Sequence, residues 1–384
     1  MANNTNRGSH AGSPVEIAGA GPAGLAAAIT LAQAGRQVVV HEKQKEVGHR
    51  FGGDFQGLEN WSSEADVLSV LKGQGLATDF MALPCRSGTA FDATGKRYEI
   101  KSDEPLFYLV ERGPGPDTLD SALLKQAQAL GVEVRFNSRL RRMVGDGILS
   151  AGPRAADAIA VGYHFDTDME DGYWVICDDD LAPQGYAYLL VMNGRGTVKS
   201  CMFSGFKQEK LYVQRTVQAF QQLVGMEMNN PRPHGGSGNF RIPVSAYSGA
   251  HPLVGEQAGF QDTLWGFGMR LAISSGVLAA QSFLSGEDYD ELWQRQLKPQ
   301  MATSVVNRAL YSLLANRGYR WFLRRFVSRP NLRASLRWQY QSSWRKRLLM
   351  PWANHRYESQ RRDVSCDHVD CHCVWCRGEC CPHE

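Results

Sequence analysis

Three glycines and one acid are the first residues in this chain whose types and spacing could do chemistry. Gly19, Gly21 and Gly24 form a G-x-G-x-x-G in which Pro22 and Ala23 fill the last gap, and Glu42 stands further on. The first glycine permits a tight turn, the second lets backbone approach a pyrophosphate, and the third lets a helix pack on a strand. A carboxylate at Glu42 can accept hydrogen bonds from both ribose hydroxyls of an adenosine, and Lys43 adds a cation beside it. Such glycines also occur in ordinary tight turns, so the flanking elements decide. Val15, Ile17 and Ala18 suit a buried parallel strand, and Ala26 to Ala34 is a good helix former with Gly35 placed to end it. Val38-Val39-Val40 then leads to the acid. With every part in register the stretch predicts a dinucleotide site. Its phosphates would rest on a helix N-terminus, where free N–H groups and the helix dipole favour an anion.

A second group of residues sits in KQKEVGHRFGGDFQGLENW, a glycine-rich loop able to lie close to a flat ligand. Arg50 is its strongest charge and a candidate for pyrophosphate contacts, with a solvated loop arginine as the plain alternative. Much later, Cys366, Cys371, Cys373, Cys376, Cys380 and Cys381 gather six of the nine cysteines near His368, His372 and His383. Thiolates at such short spacing select zinc or an iron–sulfur cluster, although the spacing matches no standard zinc or ferredoxin pattern.

The chain has 384 residues, 43% hydrophobic and 21% charged, which is ordinary globular composition and enough to bury a large core. No apolar run is long enough to span a bilayer, and residues 1–14 read as a disordered leader without a signal-peptide core. The expected location is cytoplasmic, or peripheral to a membrane. Net charge is only +3, but thirteen Lys/Arg against one acid lie between Arg317 and Arg362. There arginines interleave with Trp, Phe and Leu, a composition that suits a helix lying on an anionic membrane or a plain helical cap. Nucleic acid is the weaker expectation for the same residues.

The positioning elements follow from periodicity. An amphipathic helix is expected over Ser62 to Gly75, a strand pair about Ala93-Thr94-Gly95, a strand at Phe107 to Val110, and a helix capped by Asp117 and Gly131. From Tyr163 to Phe206, alternating aromatic-rich runs predict antiparallel strands, closed by a helix over Leu211 to Val224. An apolar helix is expected from Met269 to Leu284, and a mostly helical region from Glu287. The fold class is therefore α/β: a Rossmann-type domain (15–162 and 241–286) interleaved with an antiparallel sheet domain (163–240). A basic helical region (287–362) and a Cys/His-rich tail (363–384) complete the chain.

Taken together, residues Pro14 to Gly286 resemble the FAD-dependent geranylgeranyl reductase family and its relatives, the aromatic-hydroxylase type of flavin monooxygenases. The glycine motif, Leu109-Val110-Glu111-Arg112…Asp117, and the stretch from Gly255 carry the resemblance. That stretch, Gly255-Glu256-Gln257-Ala258-Gly259-Phe260…Gly266-Phe267-Gly268-Met269, resembles the family's second flavin motif, G-D-A-A-G-f…G-x-G-I. The resemblance implies FAD, with Arg112 among its contacts. Glu256 would stand for the acid that holds the ribityl chain, with one extra methylene. The residues after Gly185 resemble the reductases' substrate motif, with Tyr186, Tyr188 and Leu190 alternating onto one face of a strand. They would line a cavity for an isoprenoid chain or belong to the core. An Asp-Gly motif that presents NAD(P)H in the hydroxylases is replaced by Ile148 to Arg154 without the aspartate. Electrons would then come from NAD(P)H by another route or from an iron–sulfur, ferredoxin-type donor protein.

In the reaction so implied, reduced flavin gives hydride to a C=C bond of a small hydrophobic or lipid-like substrate. Asp54 is the candidate general acid, which requires burial to raise its pKa; a turn cap is its plainer role. The alternatives are a monooxygenase of an aromatic or polycyclic compound, and a non-catalytic flavoprotein with a metal- or nucleic-acid-binding tail.

Overall fold

The computed structural model describes residues 13–153, 156–240, 242–327, 329 and 331–360. It opens with strand β1 (Val15–Ala18), helix α1 (Pro22–Gln33) and strand β2 (Val38–His41). There follow β3 (Asp54–Glu59), α2 (Val67–Gly73), β4 (Ala82–Cys85), β5 (Ser87–Asp92), β6 (Arg97–Lys101) and β7 (Phe107–Arg112). After α3 (Leu119–Ala129) come β8 (Glu133–Arg135), β9 (Gly147–Leu149), β10 (Ala158–Asp166), β11 (Gly172–Cys177), β12 (Tyr186–Met192) and β13 (Arg195–Met202). Then α4 (Glu209–Val224) and β14 (Asn229–Gly238) lead to α5 (Met269–Ser285). The chain closes with α6 (Tyr289–Gln296), α7 (Lys298–Tyr311), α8 (Ala315–Val327), α9 (Leu332–Tyr340) and α10 (Trp344–Gln360).

A parallel sheet in the order β8-β2-β1-β9 forms the Rossmann-type core. Its strands are short and β2 is buried throughout, as β-branched runs between helices should be. α1 and α5 cover it so closely that a Cβ on Gly276 would lie 2.0 Å from the Ala23 carbonyl oxygen. The larger sheet runs β14-β10-β13-β12-β11-β5-β6. Its antiparallel strands follow the alternation read from the sequence, but it also takes in β5 and β6 from far earlier in the chain. β5 joins by a parallel pairing with β11, a non-local contact that periodicity does not reveal. A third sheet, β3-β7-β4, stands between the two.

Two helix starts differ from the sequence expectation, each because a neighbouring side chain caps better. α2 begins at Val67 rather than Ser62, since the Asp66 carboxylate accepts from the Leu68 N–H at 2.9 Å. α3 is capped by Thr118 rather than Asp117, its hydroxyl accepting from the Ser121 N–H at 3.1 Å. No described helix is long and apolar enough to cross a membrane.

Candidate cofactor and substrate site

The turn between β1 and α1 shows why its glycines are needed. A Cβ on Gly19 (φ +108°) would stand 2.2 Å from the Ser150 carbonyl oxygen, and one on Gly24 would stand 2.1 Å from the Gly19 carbonyl oxygen. Gly21 instead faces open space, with nothing within 4 Å of where its Cβ would be. It is the N-cap of α1, no side chain caps the helix, and Pro22 at the first position has no N–H to satisfy. Ala23 and Gly24 follow in the first turn of α1, where backbone N–H groups precede any helical carbonyl partner. At the end of β2 the Glu42 carboxylate accepts from the Ala20 and Gln44 N–H groups, each at 2.9 Å, which holds it beside the turn. Lys43 is exposed.

The second glycine-rich stretch folds onto the first. Gly255 (φ +60°) lies against Ala23, 3.0 Å from where its Cβ would be to the Ala23 Cβ, and its N–H donates to the Ser275 hydroxyl at 2.8 Å. α5 then starts at Met269 from Gly268, with no capping side chain and no acid in its first turn. Two uncapped helix N-termini therefore flank one region. Arg50, from the loop after β2, crosses to Glu256 at 2.5 Å, so that the candidate ribityl acid already holds a cation. The Arg50 carbonyl accepts from His234 Nε2 at 3.1 Å. Arg112 is buried and donates from Nε and Nη2 to the Asp120 carboxylate, at 2.7 and 2.9 Å, and from Nη1 to the Gln56 amide oxygen at 3.2 Å, while Asp120 also accepts from the Gly113 N–H, which ties Arg112 to α3 and to the turn at Gly113.

Asp54 overturns the expectation placed on it. It is buried at the first position of β3 and reaches the larger sheet, where Lys199 Nζ lies 2.6 Å from Oδ2. His164 Nε2 donates to Oδ1 at 2.9 Å and the Thr197 hydroxyl donates to it at 3.3 Å. Burial alone would raise this carboxyl, but Lys199 and the His164 hydrogen bond outweigh it and hold the pKa below the usual carboxylate range. Asp54 stays ionised and is no store for a proton. The rings of His164 and His234 stack at 4.1 Å between centroids. Burial and Lys199 lower His234 to about 4, so it is neutral near pH 7. Asp54, His164 and His234 bring donor atoms within 4.8 Å of one another. The ammonium of Lys199 already supplies the positive charge such a set would seek.

Beside this polar seam lies an apolar layer built mostly from rings. Tyr186, Tyr188 and Leu190 of β12 border it, and the Tyr186 hydroxyl donates to the Trp265 carbonyl. Phe267, between the two glycines of the second motif, fills the space that Gly57 leaves open, and a Cβ there would lie 2.2 Å from its ring. It meets Trp61 at 4.8 Å and Phe107 at 5.7 Å edge to face, while Trp265 meets Tyr186 at 5.7 Å and Tyr311 at 5.3 Å. Helices α7, α8 and α9 close the layer with Tyr311, Tyr319 and Tyr340.

Within that layer sits Asp262, between the glycines of the second motif, which no local pattern singles out. Its carboxylate accepts from the Tyr340 hydroxyl at 2.9 Å and the Trp265 N–H at 2.7 Å. Burial pushes it up to about 6, against the pull of these neutral donors. Cys85, the cysteine nearest the loop in sequence, is buried and its thiol is pushed up to about 12, which leaves it inert. Lys199 was missed as well. The available signal was its place on the inward face of β13, opposite Tyr188, where a charge needs a partner. The six tail cysteines expected to bind metal lie outside the described residues.

Residues 13–149 match the family of FAD binding domains. The residues fit that cofactor: an uncapped helix terminus, open space over Gly21 and an oriented carboxylate at Glu42. Residues 13–149 thus form an FAD-binding domain, set in a fold that the chain shares with solved flavin-dependent enzymes. Among solved structures, a geranylgeranyl bacteriochlorophyll reductase-like protein from Thermoplasma acidophilum matches with TM-score 0.69 at 18% identity, over 90% of this chain and 98% of that one. CmlS, a flavin-dependent halogenase, matches with TM-score 0.57 at 18% identity, over 90% and 77% of the two chains. A 2-methyl-3-hydroxypyridine-5-carboxylic acid oxygenase matches with TM-score 0.54 at 16% identity, over 78% and 92%. No curated protein matches the chain. The resemblance drawn from the motifs is thus met by the FAD-binding domain and by the fold.

Proposed function

We propose that this flavoprotein reduces C=C bonds of a prenyl or isoprenoid, lipid-like substrate. The observation that carries the reading is the ring layer between β12, the second glycine motif and the C-terminal helices, which suits a long apolar chain and offers little to a polar one. The reductase-like neighbour, matched over nearly its full length, supports it. FAD bound here and reduced by an electron donor would supply the hydride. The chain's own residues do the rest. Ala23 and Gly24 amides hold phosphate charge, Glu42 takes the ribose hydroxyls, and the Lys199–Asp54 pair keeps charge out of the layer. Asp262, not Asp54, is the carboxyl suited to hold a proton in the layer, because burial keeps it protonated up to about pH 6.

The test is reoxidation of the photoreduced, FAD-loaded protein under strict anaerobiosis, with a geranylgeranyl lipid in one cell and oxygen in a second. Reoxidation by the lipid, with a saturated product, is the expected result. Reoxidation by oxygen alone, with a hydroxylated product, would replace the reductase by a monooxygenase, a chemistry the oxygenase neighbour's fold also serves.

A further inference from the structure

The C-terminal helices bury one side in the ring layer and leave an unusual surface outside. On α8, Tyr319 and Leu323 face inward, while Arg317, Arg320, Trp321, Arg324 and Arg325 line an open cleft of about 420 Å³. Arg320 leans on Asp92 at 3.2 Å, but Arg317 and Arg324 meet no acid among the described residues. Trp321 at the centre of this stripe is 63% exposed. α10 is barer still. Between Trp344 and His355 only Ala353 is buried, while Trp344 and Leu348 are 67% and 72% exposed. Trp344, Leu348 and Trp352 recur every fourth residue, so they form one apolar stripe, with Arg345 and Arg347 exposed beside it. Trp338 on α9 is exposed too.

We infer that the α8–α10 surface docks on an anionic lipid bilayer. Two properties select this occupant. Clustered arginines, with Arg317 and Arg324 meeting no acid among the described residues, complement anionic headgroup phosphates, each worth about 1 kcal/mol near such a surface. Exposed tryptophan and leucine at helical spacing add an apolar stripe of the kind that inserts at the headgroup boundary, where an indole can keep its N–H wet and its ring buried. A nucleic acid would use the arginines but leave the Leu348 stripe in water. A second copy of the chain would bring its own arginines against these. The inference does not depend on which substrate the ring layer takes.

The test is co-sedimentation of the full-length, FAD-loaded protein with vesicles of phosphatidylcholine and phosphatidylglycerol in equal parts, against pure phosphatidylcholine vesicles. Salt-sensitive binding to the mixed vesicles alone is expected. Arg317→Gln with Arg324→Gln should weaken it roughly thirtyfold, at about fivefold per arginine. Trp344→Ser with Leu348→Ser should weaken it while bound FAD, read by absorbance, is unchanged. Equal binding to both vesicles, or none, overturns the inference. So does tighter binding to an RNA or DNA duplex than to the mixed vesicles. Self-association that the Trp344/Leu348 variant abolishes, without vesicle binding, overturns it in favour of a second copy.

Discussion

Asp54 and Asp262 are both buried to within 2% of their surface, yet they stand in opposite protonation regimes. Asp54 meets a cation, Lys199, and an imidazole donor, so it is held ionised. Asp262 meets a tyrosine hydroxyl and a backbone N–H, and two neutral donors do not offset the loss of water. Depth therefore does not decide the state of a buried carboxyl; the charge of its partner does. The polar seam is closed electrically and serves to join β3 to the larger sheet. The ring layer keeps a proton that its surroundings leave in play.

The largest effect should come from breaking the seam. Lys199→Met leaves Asp54 buried without its counter-ion and should cost roughly 3–5 kcal/mol in urea unfolding, most of it recovered when Asp54→Asn is added. Next is the ring layer. An unfolded aspartate titrates near 3.9 and folded Asp262 at about 6. The native state thus holds the extra proton between those values, and stability falls as pH rises through that window. Asp262→Asn should remove that fall, roughly 2–3 kcal/mol from pH 4 to pH 7. If the fall persists, the contrast between the two carboxyls is wrong.

His234 should show the opposite sign. Its folded value is about 4 against about 6.5 unfolded, so its contribution is present above that window and is lost as pH falls through it. His234→Gln should flatten this acid loss by roughly 1 kcal/mol, discounted because the ring is only partly buried. The smallest change is Thr197→Val, which removes one 3.3 Å hydrogen bond to Asp54 and should cost roughly 0.5–1.5 kcal/mol.

Much of the fold around the first glycine motif was legible because it is local. The turn at Gly19 to Gly24, the strand that ends just before Glu42 and the helix from Met269 are each written in a few consecutive residues, and these elements form where expected. What could not be read is what depends on partners distant in sequence. Asp54 looked like a loop acid because Lys199 arrives from another sheet. Nearer by, Arg112 looked free for a ligand because only the turn at Gly113 brings Asp120, the second residue of α3, back to its guanidinium. Asp262 carries no local sign between Gly259 and Gly266 because its partner Tyr340 comes from α9, 78 residues later.

The contact of Gly276 with the Ala23 carbonyl has a consequence for the order of synthesis. The first glycine turn leaves the ribosome early, but the backbone that buttresses it is on α5, made long afterwards. A nascent chain stalled before α5 carries the nucleotide motif without its floor. FAD should therefore be captured late, once both motifs have emerged, and loss of the second half should yield an apoprotein that the quality-control machinery treats as unfinished.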